Sequence, residues 1–304
     1  MKLAVLTGGV GGAKLVLGLT RIMAPRDITA IVNTGDDFTH VGLPVSPDID
    51  TLLYTLSGKA DAVQGWGREG ETWSLMAALT SLGGPDWFKL GDGDLALHVM
   101  RLAGGTLSQT TARAAAAWDV QVRVLPMSDD RVATMIETDV GLLPFQRYFV
   151  EHFCAPIVRS IFFDGAQHSA PAPGVLQAIE QADAVVIAPS NPWLSIDPIL
   201  AVPGIEAALR RTAAPVVAVS PIIAGKAVKG PTAKLMAELG LPVANAAIVA
   251  HYGDLLQGLV IDSGDDQGVD LGVRTARTDT LMTSLDDRAR VARAALDLAR
   301  SIRR

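Results

Sequence analysis

The chain opens on a strand-to-helix junction saturated with glycine. An apolar run at residues 3–6 enters Thr7-Gly8-Gly9-Val10-Gly11-Gly12, and Ala13-Lys14 is expected to open an amphipathic helix. Four glycines in five positions let backbone N–H groups turn toward a ligand, and the following helix offers its positive N-terminal end to an anion. A bare turn needs only one or two glycines, so their density argues for a phosphate cradle built from Gly9, Val10, Gly11 and Gly12, with Lys14 nearby. Neither common template fits. The P-loop requires Gly-Lys-Ser/Thr where this chain has Ala13-Lys14-Leu15, and a GxGxxG count begun at Gly9 meets Lys14 in place of its last glycine.

The next segments read as the start of an α/β sheet. Leu15, Leu17, Leu19 and Ile22 give the helix one apolar face, Pro25 ends it, and residues 28–32 form a strand buried on both sides. Ligands collect beyond the carboxyl ends of such strands, which places Asn33-Thr34-Gly35-Asp36-Asp37 beside the glycine turn. A nicotinamide-dependent oxidoreductase, one alternative, would put a single acid there for a ribose diol; this chain has two in succession. Ser46-Pro47-Asp48-Ile49-Asp50-Thr51 adds two more, one of which can cap a helix at 52–56. Capping and turns explain single aspartates. Asp36, Asp37, Asp48 and Asp50 around one anion site would repel one another unless a cation sits among them, and oxygen-only ligands suit Mg²⁺ or a similar hard ion.

Composition narrows the partners. A net charge of −6, with no dense Lys/Arg block outside the short C-terminal run, argues against nucleic acid. One cysteine, Cys154, excludes an internal disulfide and a Cys-cluster metal site. With neither a signal peptide nor a bilayer-length apolar run, the expectation is a soluble cytoplasmic protein. At 304 residues and 49% hydrophobic content it can build one large α/β core.

Along the remaining chain, residues 59–118 read as a helical insertion between the two parts of a Rossmann-like core, 1–58 and 119–304. The expected fold class is therefore α/β, a mostly parallel sheet with helices on both faces. Trp66, Trp73, Trp87 and Phe88 in the insertion can stack a flat ligand ring or fill the insertion's own core. His98, one turn after Asp94, can contact a ligand or satisfy a helix face. A strand near 120–125 delivers Pro126-Met127-Ser128-Asp129-Asp130, a tip that either binds substrate or simply turns. Strand-like pieces follow at 132–138 and 158–163. The run 184–188 delivers Pro189-Ser190-Asn191-Pro192, and 215–219 delivers Ser220-Pro221; both tips present hydroxyl, amide and backbone groups to a nucleotide. Crossover helices at 204–211 and 232–239, strands at 259–262 and 273–275, and a last helix at 285–302 complete the reading.

Taken in order, Gly8-Gly9-Val10-Gly11-Gly12-Ala13-Lys14, Asn33-Thr34-Gly35-Asp36-Asp37, Pro47-Asp48-Ile49-Asp50-Thr51, Gly65-Trp66-Gly67, Glu71-Thr72-Trp73, Trp87-Phe88-Lys89-Leu90-Gly91-Asp92, Leu125-Pro126-Met127-Ser128-Asp129-Asp130 and Ser190-Asn191-Pro192 span some two-thirds of the chain. In these motifs the chain resembles the 2-phospho-L-lactate transferase family of coenzyme F420 biosynthesis. The resemblance implies a guanosine-diphosphate-linked donor carrying phospholactate, or the enolpyruvyl or glyceryl relative, and a deazaflavin acceptor, Fo. On that resemblance the terminal ribityl hydroxyl of Fo would attack the phosphorus bearing the organic acid, with GMP leaving. It also implies Asp37 and Asp50 as catalytic carboxylates nearest a Mg²⁺ ion, supported by Asp36 and Asp48. Gly9 to Gly12, Lys14 and Asn33 would lie at the phosphates, Ser190 and Asn191 at the guanosine, and Trp87, His98, Ser128 and Asp129 along the substrates. A homodimer is expected on the same ground. The competing reading is a non-catalytic nucleotide-sugar-binding protein like the gluconeogenesis-factor relatives, which share the glycine turn.

Overall fold

The computed structural model describes residues 1–227, 231–265 and 268–302. Its centre is a seven-stranded sheet: β1 (Leu3–Thr7), β2 (Ile28–Val32), β3 (Arg123–Pro126), β4 (Ala184–Ile187), β5 (Val216–Val219), β6 (Gly258–Asp262) and β7 (Arg274–Thr278). The order is β3-β2-β1-β4-β5-β6-β7, with every adjacent pair parallel. Strands covered on both faces cannot alternate apolar with polar residues, and β1, β4, β5 and β6 are buried at every position. The edges are treated differently. β7 exposes Arg274 and Arg277, and β3 ends in Pro126, which offers no N–H to a further strand.

Two cores form from alternate residues of the same strands. Leu3 and Val5 pack with Leu15, Leu19, Val291 and Leu296, whereas Ala4 and Leu6 pack with Val175, Ile205 and Ile248. The first face is covered by helices α1 (Gly9–Thr20), α2 (Pro47–Leu56) and the C-terminal helix Leu285–Ile302. The second is covered by Val175–Glu180, Ile205–Arg211, Thr232–Glu238 and Asn245–Tyr252. The chain thus leaves β1 for β2 on one side and later returns to pair β4 on the other, so the strand order reverses between β1 and β4. In open α/β sheets that reversal opens a crevice at the carboxyl ends of the two strands.

Residues 59–118 carry α3 (Ser74–Ser81), α4 (Leu95–Leu102) and α5 (Leu107–Ala117). The strand-like pieces at 132–138 and 158–163 are strands Ala133–Thr138 and Val158–Asp164; beyond the sequence reading, they form with Gly141–Pro144 a separate antiparallel sheet, Ala133–Thr138 in the middle, and Phe38–His40 and Leu43–Val45 form an antiparallel hairpin. Among the described residues no helix is long and apolar enough to cross a membrane.

Two helix starts differ from expectation. α1 begins at Gly9, four residues before Ala13, so the glycines form its first turn and not a loop ahead of it. α2 begins at Pro47, and neither Asp48 nor Asp50 caps it: Ser46 holds the cap position and both acids lie inside the first turn. Proline at the first helical position costs nothing, because that N–H has no intrahelical acceptor.

Candidate active site

The β1 tip passes directly into α1, so the first turn of that helix faces the crevice between β1 and β4. Four amides at a helix start lack intrahelical acceptors, here those of Gly8, Gly9, Val10 and Gly11. Gly8 N–H donates to Ser190 Oγ on the β4 tip at 3.2 Å, and that hydroxyl donates back to the Gly8 carbonyl at 2.7 Å. Gly9, at φ +66°, turns its N–H onto Asp48 Oδ1 at 2.8 Å. The amides of Val10 and Gly11, in the same first turn, have no intrahelical acceptor. Gly12 has a different duty: a Cβ there would lie 2.0 Å from Thr7 Oγ1 and 3.0 Å from Ser190 Oγ, so its bareness brings α1 down onto β1. Gly12→Ala is expected to destabilise the fold by roughly 1–3 kcal/mol in denaturant unfolding. Adding Thr7→Ala should recover part of the loss; strict additivity in the double variant would exclude the clash as its cause.

The acids gather behind this turn. Asn33 Nδ2 donates to Asp36 Oδ1 at 2.9 Å and to Asp48 Oδ2 at 3.0 Å, while Asn33 Oδ1 accepts from Gly35 N–H. Ser46 donates to Asp37 Oδ2 at 2.7 Å; Asp37 Oδ1 is buried and has no protein partner. Burial raises the Asp36 carboxyl well above the ordinary carboxylate range, and the Asp48 charge adds to it. Burial raises Asp37 likewise, against the Ser46 hydrogen bond and the Arg101 charge. Asp48 is pushed up to about 6 by burial, against its bonds from Asn33 and Gly9.

This acid nest makes the pH response of the metal-free protein unusual. A carboxyl whose folded pKa exceeds its unfolded value binds a proton on folding, so its contribution is full below about 3.8 and lost as pH rises through the folded value. In chelator, stability is expected to fall from pH 5 to 7, by at most ~1.4 kcal/mol per unit for each proton. Asp48→Asn should flatten the slope. A melting temperature that rises across that interval would refute the assignment.

Asp50 faces the other way, into the insertion. Arg101, from α4, grips both Asp50 oxygens as a bidentate fork, with Nη1 to Oδ2 at 2.9 Å and a shorter bond from Nη2 to Oδ1. The fork continues a buried chain: Arg101 Nη1 lies 3.3 Å from His98 Nδ1, His98 Nε2 lies 3.2 Å from Asp94 Oδ2, and Tyr54 of α2 donates to Asp94 Oδ1. Against burial, Asp50 keeps Arg101 firmly charged. Among the described residues, Asp50, Asp94 and His98 form a group whose donor atoms lie within 4.8 Å of one another and could hold a metal ion.

The other residues singled out in sequence fall in several places. Asn191 spans the β4 tip, its Oδ1 accepting from the amides of Trp193 and Leu194 and its Nδ2 donating to Thr232. Trp87 joins Phe38, His40 and Phe88 in an aromatic group. Lys14 donates to the Met282 carbonyl, behind the helix. Ser128 donates to the Ala170 carbonyl, and Asp129 accepts from the amide and hydroxyl of Ser108 in the first turn of α5, so both are engaged in holding chain to chain. Arg101 and His40 were not among the residues singled out, and Tyr54, part of a Tyr54-Thr55-Leu56 motif shared with the resembled family, was given no role. Arg101 carried one signal, its position four residues after Leu97 on the inner face of α4.

A doubly wound parallel sheet with a glycine-built helix start at its switch point defines a Rossmann-like α/β protein, in which that crevice is the ligand position. Comparison with known proteins is more specific. Residues 3–280 match the family described as 2-phospho-L-lactate transferase CofD. A phosphoenolpyruvate transferase of Kitasatospora aureofaciens is 43% identical, over all of this chain and 99% of the relative, and one of Streptomyces griseus is 44% identical over the whole of both. One of Mycolicibacterium smegmatis is 39% identical over 98% of this chain and 99% of its own. A solved structure of a UPF0052-family protein from Bacillus halodurans has the same fold, with a TM-score of 0.67 and 22% identity over 97% of this chain and all of the other. The chain belongs to the 2-phospho-L-lactate transferase (CofD) family, the transferases of coenzyme F420 biosynthesis.

Proposed function

We propose that the chain transfers a phosphoenolpyruvyl group from a guanosine-diphosphate-linked donor to the terminal ribityl hydroxyl of the deazaflavin Fo, releasing GMP. The observation that carries the reading is Asp37 Oδ1, a buried carboxylate oxygen without a protein partner, in an acid group that reaches the open first turn of α1 through Asp48. Enolpyruvyl is preferred over lactyl or glyceryl because the full-length relatives at 43% and 44% identity are phosphoenolpyruvate transferases.

In this reading the Val10 and Gly11 amides hold diphosphate oxygens, as helix starts do for anions. Ser190 and Asn191 line the guanosine side, and Lys14 adds positive charge behind the turn. The insertion 59–118, with Trp87 and His98, covers the acceptor. In the same reading a divalent cation, Mg²⁺ or similar, would be held by Asp37 and Asp50 with Asp36 and Asp48 in support; Asp50, besides its Arg101 fork, also belongs to the group with Asp94 and His98 whose donor atoms lie within 4.8 Å of one another. When bound, that ion neutralises charge on the diphosphate and on the phosphoryl group in flight. The ribityl oxygen forms a bond to the phosphorus carrying the enolpyruvyl group. The bond from that phosphorus to the bridging oxygen breaks, its electron pair stays with departing GMP, and the hydroxyl proton passes to an aspartate and then to solvent. A cytoplasmic homodimer completes the proposal.

The test is a transfer assay with Fo, Mg²⁺ and the guanylylated lactate, enolpyruvate and glycerate donors, read by product mass. The enolpyruvyl product is expected to dominate. No product from any donor, together with thermal stabilisation by UDP-sugars and indifference to GDP, would favour the nucleotide-sugar-binding alternative.

A further inference from the structure

His40 is a buried imidazole in an aromatic cluster. It sits at the end of the Phe38–His40 strand, 3% exposed, and meets Trp87 edge-on with ring centroids 5.1 Å apart and planes at 80°. Phe88 lies 5.6 Å away, and Phe38 packs on Phe88 at 4.8 Å. The Arg147 guanidinium stacks over the Trp87 ring, 4.4 Å from its centroid.

One ring nitrogen of His40 hydrogen-bonds the Phe88 backbone; the other, Nε2, is buried and has no protein partner. Donation to a backbone carbonyl fixes the tautomer and makes Nε2 an acceptor lone pair. Burial, reinforced by the charges of Arg147 and His98, keeps the ring neutral. Buried acceptors nearly always have a partner, and an unmade bond in an apolar cluster costs stability. Trp87 beside it is half-buried, with Arg147 over its ring. A lone pair fixed at the edge of an aromatic wall suits a planar heterocycle with an N–H or O–H on its rim.

We propose that His40 Nε2 accepts a hydrogen bond from the planar acceptor substrate and so selects it by its polar edge. This inference rests on the proposed acceptor reading and names one residue that enforces it.

The experiment measures Fo binding by fluorescence titration, and transfer kinetics, for wild type, His40→Phe and His40→Gln. His40→Phe should weaken Fo binding and raise the KM for Fo by roughly 5- to 100-fold, with kcat and the thermal shift by GDP little changed. His40→Gln, which retains an acceptor oxygen, should recover part of the affinity. The free His40→Phe protein should melt no lower than wild type, because an unpaired polar atom has been removed from an apolar cluster. Unchanged Fo affinity in His40→Phe, or a fall in kcat alone, would overturn the inference while leaving the transferase reading in place. A wild type that neither binds nor uses Fo would overturn both.

Discussion

Asp37→Asn is expected to lower transfer to Fo by at least ~100-fold while leaving the fold intact. The asparagine keeps the shape and the contact with Ser46 but loses the ionisable oxygen that has no protein partner. Because burial already disfavours the charged form of Asp37, removing that charge should raise or preserve the melting temperature of the metal-free protein. Function and stability should therefore separate at one atom. The same variant should lose Mg²⁺-dependent stabilisation by GDP, measured by thermal shift. Wild-type transfer rates in Asp37→Asn would remove Asp37 from the site.

The second large effect is structural. Arg101→Met leaves Asp50 buried without its fork, and breaking a buried ion pair on one side typically costs about 3–5 kcal/mol. Denaturant unfolding should report that loss. Pairing it with Asp50→Asn should restore more than half, since no buried charge is then stranded. Arg101→Lys should behave more like methionine than like arginine, because one ammonium cannot replace two parallel N–H···O bonds. A double variant no more stable than Arg101→Met alone would show that the pair is not the source of the effect.

Much of the sheet was legible because its strands are buried on both sides and read as unbroken apolar runs: Ala184–Ile187 and Val216–Val219 needed no alternation to be recognised. Helix starts were less legible. Glycine ranks low as a helix former, so a glycine run reads as loop, whereas here close approach to Thr7 and Ser190 overrides propensity. Asp48 and Asp50 looked like caps because aspartate often is one, but their hydroxyl neighbour Ser46 holds that position. At the site, the stretch around Asn33 was placed near the glycine turn by the βαβ rule and that around Asp48 was added by its acids, and the structure joins them through Asn33 and Gly9. Arg101 and Tyr54 escaped because their partners lie 51 and 40 residues away, and nothing local marks an arginine as buried. His40 escaped because the hairpin that buries it is only three residues a side.

Helix α2 carries its two acids to opposite clients: Asp48 takes an amide from the start of α1, and Asp50, half a turn on, is clamped by the insertion through Arg101. The insertion and the glycine turn thus share one lever. Both contacts are made by neighbouring positions of one helix, Asp48 and Asp50. Any effect of occupancy on one side upon affinity on the other would have to be the same factor in both directions, a reciprocity that thermodynamics enforces wherever two sites bias a common element.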